Sequence, residues 1–395
     1  MADDSVVFRK VLSDALALLP DVEIVGTASN GRQALQKIRE LRPDFVTLDM
    51  EMPEMDGLAV LDALKQSQDP ASVIVVSALT RKGGTLTLRA LEKGAFDFIT
   101  KPDSGSAELG RESFQRELAP RVRALASRHE IRSILRGRSG TVAATAPTAP
   151  VGFGGTAPAA AKNGHGPAPG PGNGHAHGPG NGVHSLDGIA GRMSHLAAGT
   201  VRPDLVLIGV STGGPNALAR LLPAIPGNLG VPILIVQHMP PMFTQSLAES
   251  LAAKCALQVR EAAGGEAVKP NTVYIAPGGR QMRVQPGGDG GKVLCITDDP
   301  PENNCRPAAD YLFRSVASHF PGRSLAVILT GMGNDGATGL RLLKRQGCQV
   351  IAQDEATCVV YGMPKAAVEA KVVDWVLPLD AIAGRIVSSV RGGPG

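Results

Sequence analysis

The run from Leu205 to Gly214, LVLIGVSTGG, limits the fold of this chain more than any other stretch. A short apolar run stops at a glycine-rich turn, and the helical pattern PNALARLLPAI follows, opened by Pro215. A strand buried on both faces that feeds a helix has this signature, and proline suits a first helical position. Ser211 therefore falls on a strand-to-helix turn, at the carboxyl end of a strand, where open α/β sheets bind their ligands. Gly209, Ser211 and Gly213 also satisfy G-x-S-x-G, the pattern of a nucleophile elbow. A serine in such a turn is just as well a plain turn residue or part of a phosphate cradle, so the decision rests on what else the chain brings.

From about Val201 the alternation of strand and helix patterns continues. Strand patterns stand at 205–209, 233–237, 273–276, 293–297, 325–330 and 349–353. Helical patterns stand at 215–224, 242–254, 306–319 and 336–346, and 258–298 reads as an inserted hairpin region. Two more strand ends carry polar residues: ILIVQHMP sets His238 just past its strand, and LAVILTGMGNDGATG sets Asp335 after another, in a glycine-rich loop. Ser211, His238 and Asp335 thus share one edge of one sheet, the layout of a Ser-His-Asp triad. A serine hydroxyl is a poor nucleophile until a base takes its proton. Histidine titrates in the range that task needs, and a carboxylate fixes the imidazole tautomer. The plainer readings are a satisfied loop histidine and an aspartate that caps the helix after it. A rival set, Ser211, Asp310 and His319, is weaker, because Asp310 and His319 fall in one helical pattern.

The amino-terminal part alternates in the same way, which means a parallel α/β sheet. Helical patterns at 5–18, 31–41, 57–66 and 84–93 interleave with strand patterns at 22–26, 44–49, 72–78 and 95–102, and 111–135 suits a last amphipathic helix. Asp3 and Asp4 come first, Asp49 and Ser77 end two strands, and Lys101 ends another. Clustered carboxylates suit a hard divalent cation such as Mg²⁺, beside which Ser77 and Lys101 are placed to hold phosphate oxygens.

This set resembles the receiver domain of two-component response regulators over residues 1 to about 135, on DDS at 3–5, LDMEMPEMDG at 48–57, VVSA at 75–78 and TKP at 100–102. The resemblance implies a flavodoxin-like fold in which Asp49 takes a phosphoryl group. It implies Mg²⁺ bound by Asp3, Asp4, Asp49 and the backbone carbonyl of Glu51. Ser77 and Lys101 then sense the phosphoryl group, and Phe98 is the aromatic switch residue. One departure stands out. Receivers open on an apolar strand, a strand needs about five residues, and here only Met1 and Ala2 precede Asp3. The first strand is missing from this reading, and a start of the natural chain upstream of Met1 is the favoured expectation.

Composition narrows the rest. Residues 136–200 are dominated by Gly, Ala, Pro, Asn and His, as in GHGPAPGPGNGHAHGPGNG, and read as a flexible tether between domains at 1–135 and 201–392. His165, His175, His177 and His184 lie in it without a fixed ligand geometry. Of a net charge of +4, residues 111–138 supply a surplus of five, with eight Arg against three Glu. With no recognition-helix motif beside it, that stretch reads as a solvated helix and not a nucleic-acid grip. Cys255, Cys295, Cys305, Cys348 and Cys358 form no C-x-x-C pair, which points away from zinc and toward a reduced cytoplasmic setting. No apolar run is long enough to span a bilayer.

In the second domain IGVSTGG at 208–214, IVQHMP at 235–240, LTGMGNDGA at 329–337 and QDEATCVVYGMP at 353–364 look like the catalytic domain of the chemotaxis protein-glutamate methylesterases, a family that also places a receiver in front. The fold class is then α/β, with two doubly wound parallel-sheet domains, the second Rossmann-like. The resemblance implies that Ser211 attacks methyl-esterified glutamate on a chemoreceptor, releasing methanol, with deamidation of receptor glutamine by the same route. His238 is base and then acid, Asp335 orients it, and the backbone amides of Thr212 and Met332 form the oxyanion hole. A chemotaxis histidine kinase is the implied phosphodonor, acting on Asp49 to move the receiver off the catalytic mouth. The alternative is a response regulator whose output domain binds a nucleotide or nucleic acid.

Overall fold

The computed structural model describes residues 1–20, 22–101, 114–126, 202–288 and 290–392. The tether at 136–200, with its histidines, lies outside them.

The amino-terminal region runs α1 (Val6–Ala17), α2 (Gly31–Leu41), β1 (Phe45–Asp49), α3 (Gly57–Gln66), β2 (Ser72–Ser77), α4 (Arg81–Glu92), β3 (Asp97–Thr100) and α5 (residues 114–126). Its helices begin where the sequence offers an oxygen to the first free N–H groups: Asn30 accepts from Gln33 N, Asp56 from Ala59 N and Thr80 from Gly83 N. The strands pair in parallel, in the order β1-β2-β3. Their register sets Asp49 beside Val76 and Ser77 beside Thr100. Asp49, Ser77 and Lys101 therefore share the carboxyl edge.

Residues 22–26, expected as a strand, are not one. Beside them Ala2 forms isolated parallel bridges to Ala28 and Leu48, and the Met1 ammonium donates to Gly26 O. With Met1 and Ala2, residues 22–27 and 45–47 line a cavity of about 340 Å³. Residues 22–26 line this cavity and pair with no strand among the described residues. Burial pushes the Met1 ammonium down to about 6.

The second region is built on seven parallel strands in the order β12-β11-β10-β4-β5-β7-β6. Along the chain these are β4 (Leu205–Val210), β5 (Ile233–Gln237), β6 (Gln258–Glu261), β7 (Thr272–Ile275), β10 (Ser324–Ile328), β11 (Gln349–Gln353) and β12 (Trp375–Leu377). Every residue of β4, β5 and β10 is buried, as expected of central strands covered on both faces. The covering helices are α6 (Gly214–Leu221), α7 (Phe243–Ala252), α8 (Ala309–His319), α9 (Ala337–Arg345), α10 (Met363–Glu369) and α11 (Leu379–Arg391). The stretch 258–298 is only partly the expected insertion. β8 (Gln281–Pro286) and β9 (Lys292–Thr297) form an antiparallel hairpin, whereas β6 and β7 extend the main sheet. Among the described residues no helix is long and apolar enough to cross a membrane.

The sheet order does the work that matters for a site. β10, β4 and β5 are neighbours, so the loops that follow them, carrying Asp335, Ser211 and His238, emerge side by side. Over the same edge lies the amino-terminal region. Apolar residues of α4 (Leu88, Leu91) join those of α6 and α7 (Leu218, Leu247, Leu251) in one cluster. Phe98 stacks on Phe243 with ring centroids 5.0 Å apart. Arg81 pairs with Glu249, and Lys254 with Glu92.

Candidate active site

Ser211 follows β4 directly. Its N–H donates to Thr330 O, and its carbonyl accepts from Gly214 N at 2.8 Å, which closes the turn. Gly213 sits at φ +78°, a conformation that a side chain disfavours, so the turn is sharp and α6 starts at once. His238 is anchored to the same strand end, its N–H donating to Val210 O at 3.1 Å.

The imidazole meets Asp335: Nε2–H donates to Oδ2 at 2.7 Å. Asp335 is 3% exposed and has a further task. Its carboxylate accepts from the N–H groups of Ala309 (2.6 Å) and Asp310 (3.0 Å), from Gly336 N, and from the side-chain amide of Asn303. Helix α8 has no side-chain cap of its own, so Asp335 caps it from another loop. The sequence offered a cap for the helix that follows Asp335. The structure gives a cap for the helix that precedes it, together with the imidazole contact.

These partners set the charges. Burial raises the Asp335 carboxyl, but His238 and the ring of N–H donors outweigh it and hold it below the ordinary value. Burial works against the His238 imidazolium. The hydrogen bond and charge of Asp335, with the nearby Cys305, overcome this and push His238 up to about 10.

With Nε2 committed to Asp335, Nδ1 is the basic nitrogen. In the structure it faces the thiol of Cys305, with Sγ at 3.5 Å, and Ser211 Oγ is a partner of neither ring nitrogen. Among the described residues, no backbone carbonyl takes the N–H of Thr212 or Met332, the pair expected to hold an oxyanion. The rival set is not assembled. Asp310 is spent on Gly339 N and Asn303, and nine helical residues place His319 about 13.5 Å along the axis from it.

Thr212, 7% exposed, reaches the other region: its hydroxyl donates to Asp97 Oδ2 at 2.9 Å, an oxygen that Arg121 Nε also holds. Asp97 precedes Phe98 on β3, so both cross-contacts come from one strand. Sequence reasoning missed Asp97, Cys305 and Asn303. Only the turn-prone NN of ENNCRP marked the last two, and nothing local marked Asp97 as different from a surface acid.

The second cluster lies on the carboxyl edge of β1–β3. The carboxylates of Asp3, Asp4 and Asp49 lie within 4.8 Å of one another, an all-oxygen donor set suited to a hard cation. Lys101 Nζ bridges Asp49 (2.7 Å) and Asp3 (2.9 Å). Burial raises the Asp49 carboxyl, against the pull of Lys101. Ser77 Oγ donates to Gly83 O and lines the same small cavity as Asp49 and Lys101. The Glu51 side chain pairs with Lys82, and its N–H donates to Asp49.

Comparison with known proteins bears on both regions. Residues 206–386 match the family described as CheB methylesterase, and residues 1–109 match the response regulator receiver domain. A protein-glutamate methylesterase/protein-glutamine glutaminase of Desulfotalea psychrophila is 43% identical over 99% of this chain and 98% of its own length. One from Moorella thermoacetica is 43% identical at the same coverage of both chains. The crystal structure of the Thermotoga maritima CheB methylesterase catalytic domain shares 43% identity, covers 48% of this chain and 99% of its own, and superposes with a TM-score of 0.46. The chain belongs to the CheB methylesterase family, in the form that carries a response-regulator receiver domain ahead of the esterase domain.

Proposed function

We propose that this chain removes methyl esters from glutamate side chains of chemoreceptors in the cytoplasm, and deamidates receptor glutamines, under control of phosphorylation at Asp49. The observation that carries the chemistry is the 2.7 Å contact between His238 Nε2 and Asp335, on loops adjacent to the Ser211 turn. Ser211 Oγ attacks the ester carbonyl while its proton passes to His238 Nδ1. The oxyanion is taken by the N–H groups of Thr212 and Met332, a contribution of about 2.7–4 kcal/mol per donor in comparable sites. The imidazolium, steadied by Asp335, returns the proton to the departing methoxide, giving methanol and an acyl-enzyme. Water, deprotonated by the same Nδ1, releases glutamate and restores Ser211. For that sequence Nδ1 must leave the Cys305 thiol and meet Ser211.

The receiver supplies the control. Asp3, Asp4 and Asp49 would hold Mg²⁺, whose charge offsets that of the incoming phosphoryl oxygens. Asp49 accepts the phosphoryl group from a histidine kinase, and Ser77 and Lys101 hold its oxygens. Withdrawing Phe98 from Phe243 and Asp97 from Thr212 would then free the oxyanion turn. The match of 206–386 to a methylesterase supports this reading over a nucleotide- or nucleic-acid-binding output domain. Methanol release from methylated receptor, with and without a small phosphodonor, tests it. Release that Ser211→Ala abolishes supports the assignment, and undiminished release by that variant refutes it.

A further inference from the structure

Gln237 is the last residue of β5 and stands next to His238. It is 2% exposed, and its side chain runs beneath the catalytic rim. Its amide nitrogen forks, with Nε2 donating to Ser211 O at 3.0 Å and to His238 O at 3.2 Å. One side chain thus ties together the backbones that carry the nucleophile and the base.

The other end of that amide is unusual. Oε1 is buried and has no hydrogen-bond partner among the described residues. It lies against the first turn of α6, where a Cβ on Gly214 would come within 2.0 Å of it. Turning the amide over would not relieve this, because the oxygen would then face two carbonyl oxygens. An unpaired buried acceptor destabilises a fold, and an aliphatic side chain of the same length would carry no such penalty. Gln353, at the end of β11, shows the contrast. Its Oε1 accepts from Thr330 N and its Nε2 donates to Thr357 O, so both ends are satisfied. Space filling accounts for an apolar residue at 237, and a satisfied network accounts for a glutamine at 353. Neither accounts for Gln237. The two donated hydrogen bonds do.

We propose that Gln237 is a positioning residue for the esterase reaction, an amide fork that sets the distance between the Ser211 turn and the His238 loop. This rests on Ser211 and His238 being nucleophile and base. Past the end of the β4–β5 ladder, two ties join the residues that carry them, Val210 O to His238 N and the Gln237 fork. Removing the fork leaves one tie, and the Ser211 carbonyl keeps only its bond from Gly214 N. Small displacements of reacting groups cost rate without costing substrate affinity.

The test uses the full chain with Gln237→Leu, with Gln237→Met as a second shape should Leu fail to fold. Methanol release is measured with methylated receptor and a phosphodonor. Inactivation by a sulfonyl fluoride, which reports the reactivity of Ser211 directly, and the melting midpoint are measured alongside. The expected result is a fall of about 10- to 100-fold in both kcat and the sulfonylation rate, with KM within about twofold and the midpoint unchanged or higher. Rates within about twofold of the parent overturn the proposal. So does a loss of rate that merely follows the fraction unfolded, with sulfonylation of the folded fraction intact. Ser211→Ala run in parallel separates the two levels. If it still releases methanol, the esterase assignment fails; if it is silent while Gln237→Leu is fully active, only the fork fails.

Discussion

Two aspartates stand at the carboxyl edges of the two sheets, Asp49 as the last residue of β1 and Asp335 in the loop after β10, and they are driven in opposite directions. Asp49 and Asp335 are equally shielded, at 3% exposed. Asp49 receives one long hydrogen bond from Glu51 N and the ammonium of Lys101, and burial raises its carboxyl. Asp335 receives the N–H groups of Ala309, Asp310 and Gly336, the amide of Asn303 and the imidazole of His238, and is held below its usual value. Donor count, not depth, separates them. A carboxylate whose lone pairs are all taken can only orient and stabilise. One with lone pairs to spare, beside a cation site, can accept a phosphoryl group.

The comparison breaks most sharply at the esterase rim. Ser211→Ala or His238→Ala should lower methanol release by at least about 10³-fold. Asp335→Asn should cost about 10³- to 10⁴-fold through the wrong tautomer, and it also weakens the acceptor for the first turn of α8. A lower melting midpoint should therefore accompany the loss, and unchanged activity and midpoint together would contradict the double role. Next comes pH. Because His238 is pushed up to about 10, kcat/KM should climb toward alkaline pH, close to tenfold per unit, and level off near 10. Asp335→Asn removes the main support of the imidazolium and should move that limb to lower pH. The same raised value stabilises the fold fully below about pH 6.5, and that stabilisation is lost as pH rises through about 10.

Smaller effects belong to the receiver. Asp97→Ala should raise hydrolysis without a phosphodonor by roughly 5- to 30-fold and shrink the activation ratio, in line with typical coupling between sites. A basal rate that does not move would show that the Thr212 contact restrains nothing. Asp49→Asn should abolish activation by a phosphodonor while basal methanol release stays within about twofold.

The strand ends were readable because alternation of strand and helix makes the strands parallel. Three apolar runs, followed by Ser211, His238 and a loop carrying Asp335, bring those residues to one edge whatever the details of packing. The helices α2 and α3 were legible for a similar reason, since periodicity and capping residues agree. What escaped were short elements and distant partners. β6 and β12 have four and three residues, β8 mixes Gln281, Arg283 and Gln285 among its apolar residues, and each is held by its neighbour strand more than by its own propensity. Residues 22–26 have strand propensity and no ladder. Asp97 and Thr212 meet across 115 positions of sequence, and Cys305 reaches His238 only because the turn at Asn303 and Asn304 folds back with positive φ. No local pattern encodes such meetings.

Because one carboxylate both starts α8 and steadies the imidazole, catalysis and the integrity of that helix share a single fastening. Gentle heating or low denaturant that loosens the first turn of α8 should silence the esterase while the seven-stranded sheet still stands, so loss of turnover would run ahead of the cooperative melt.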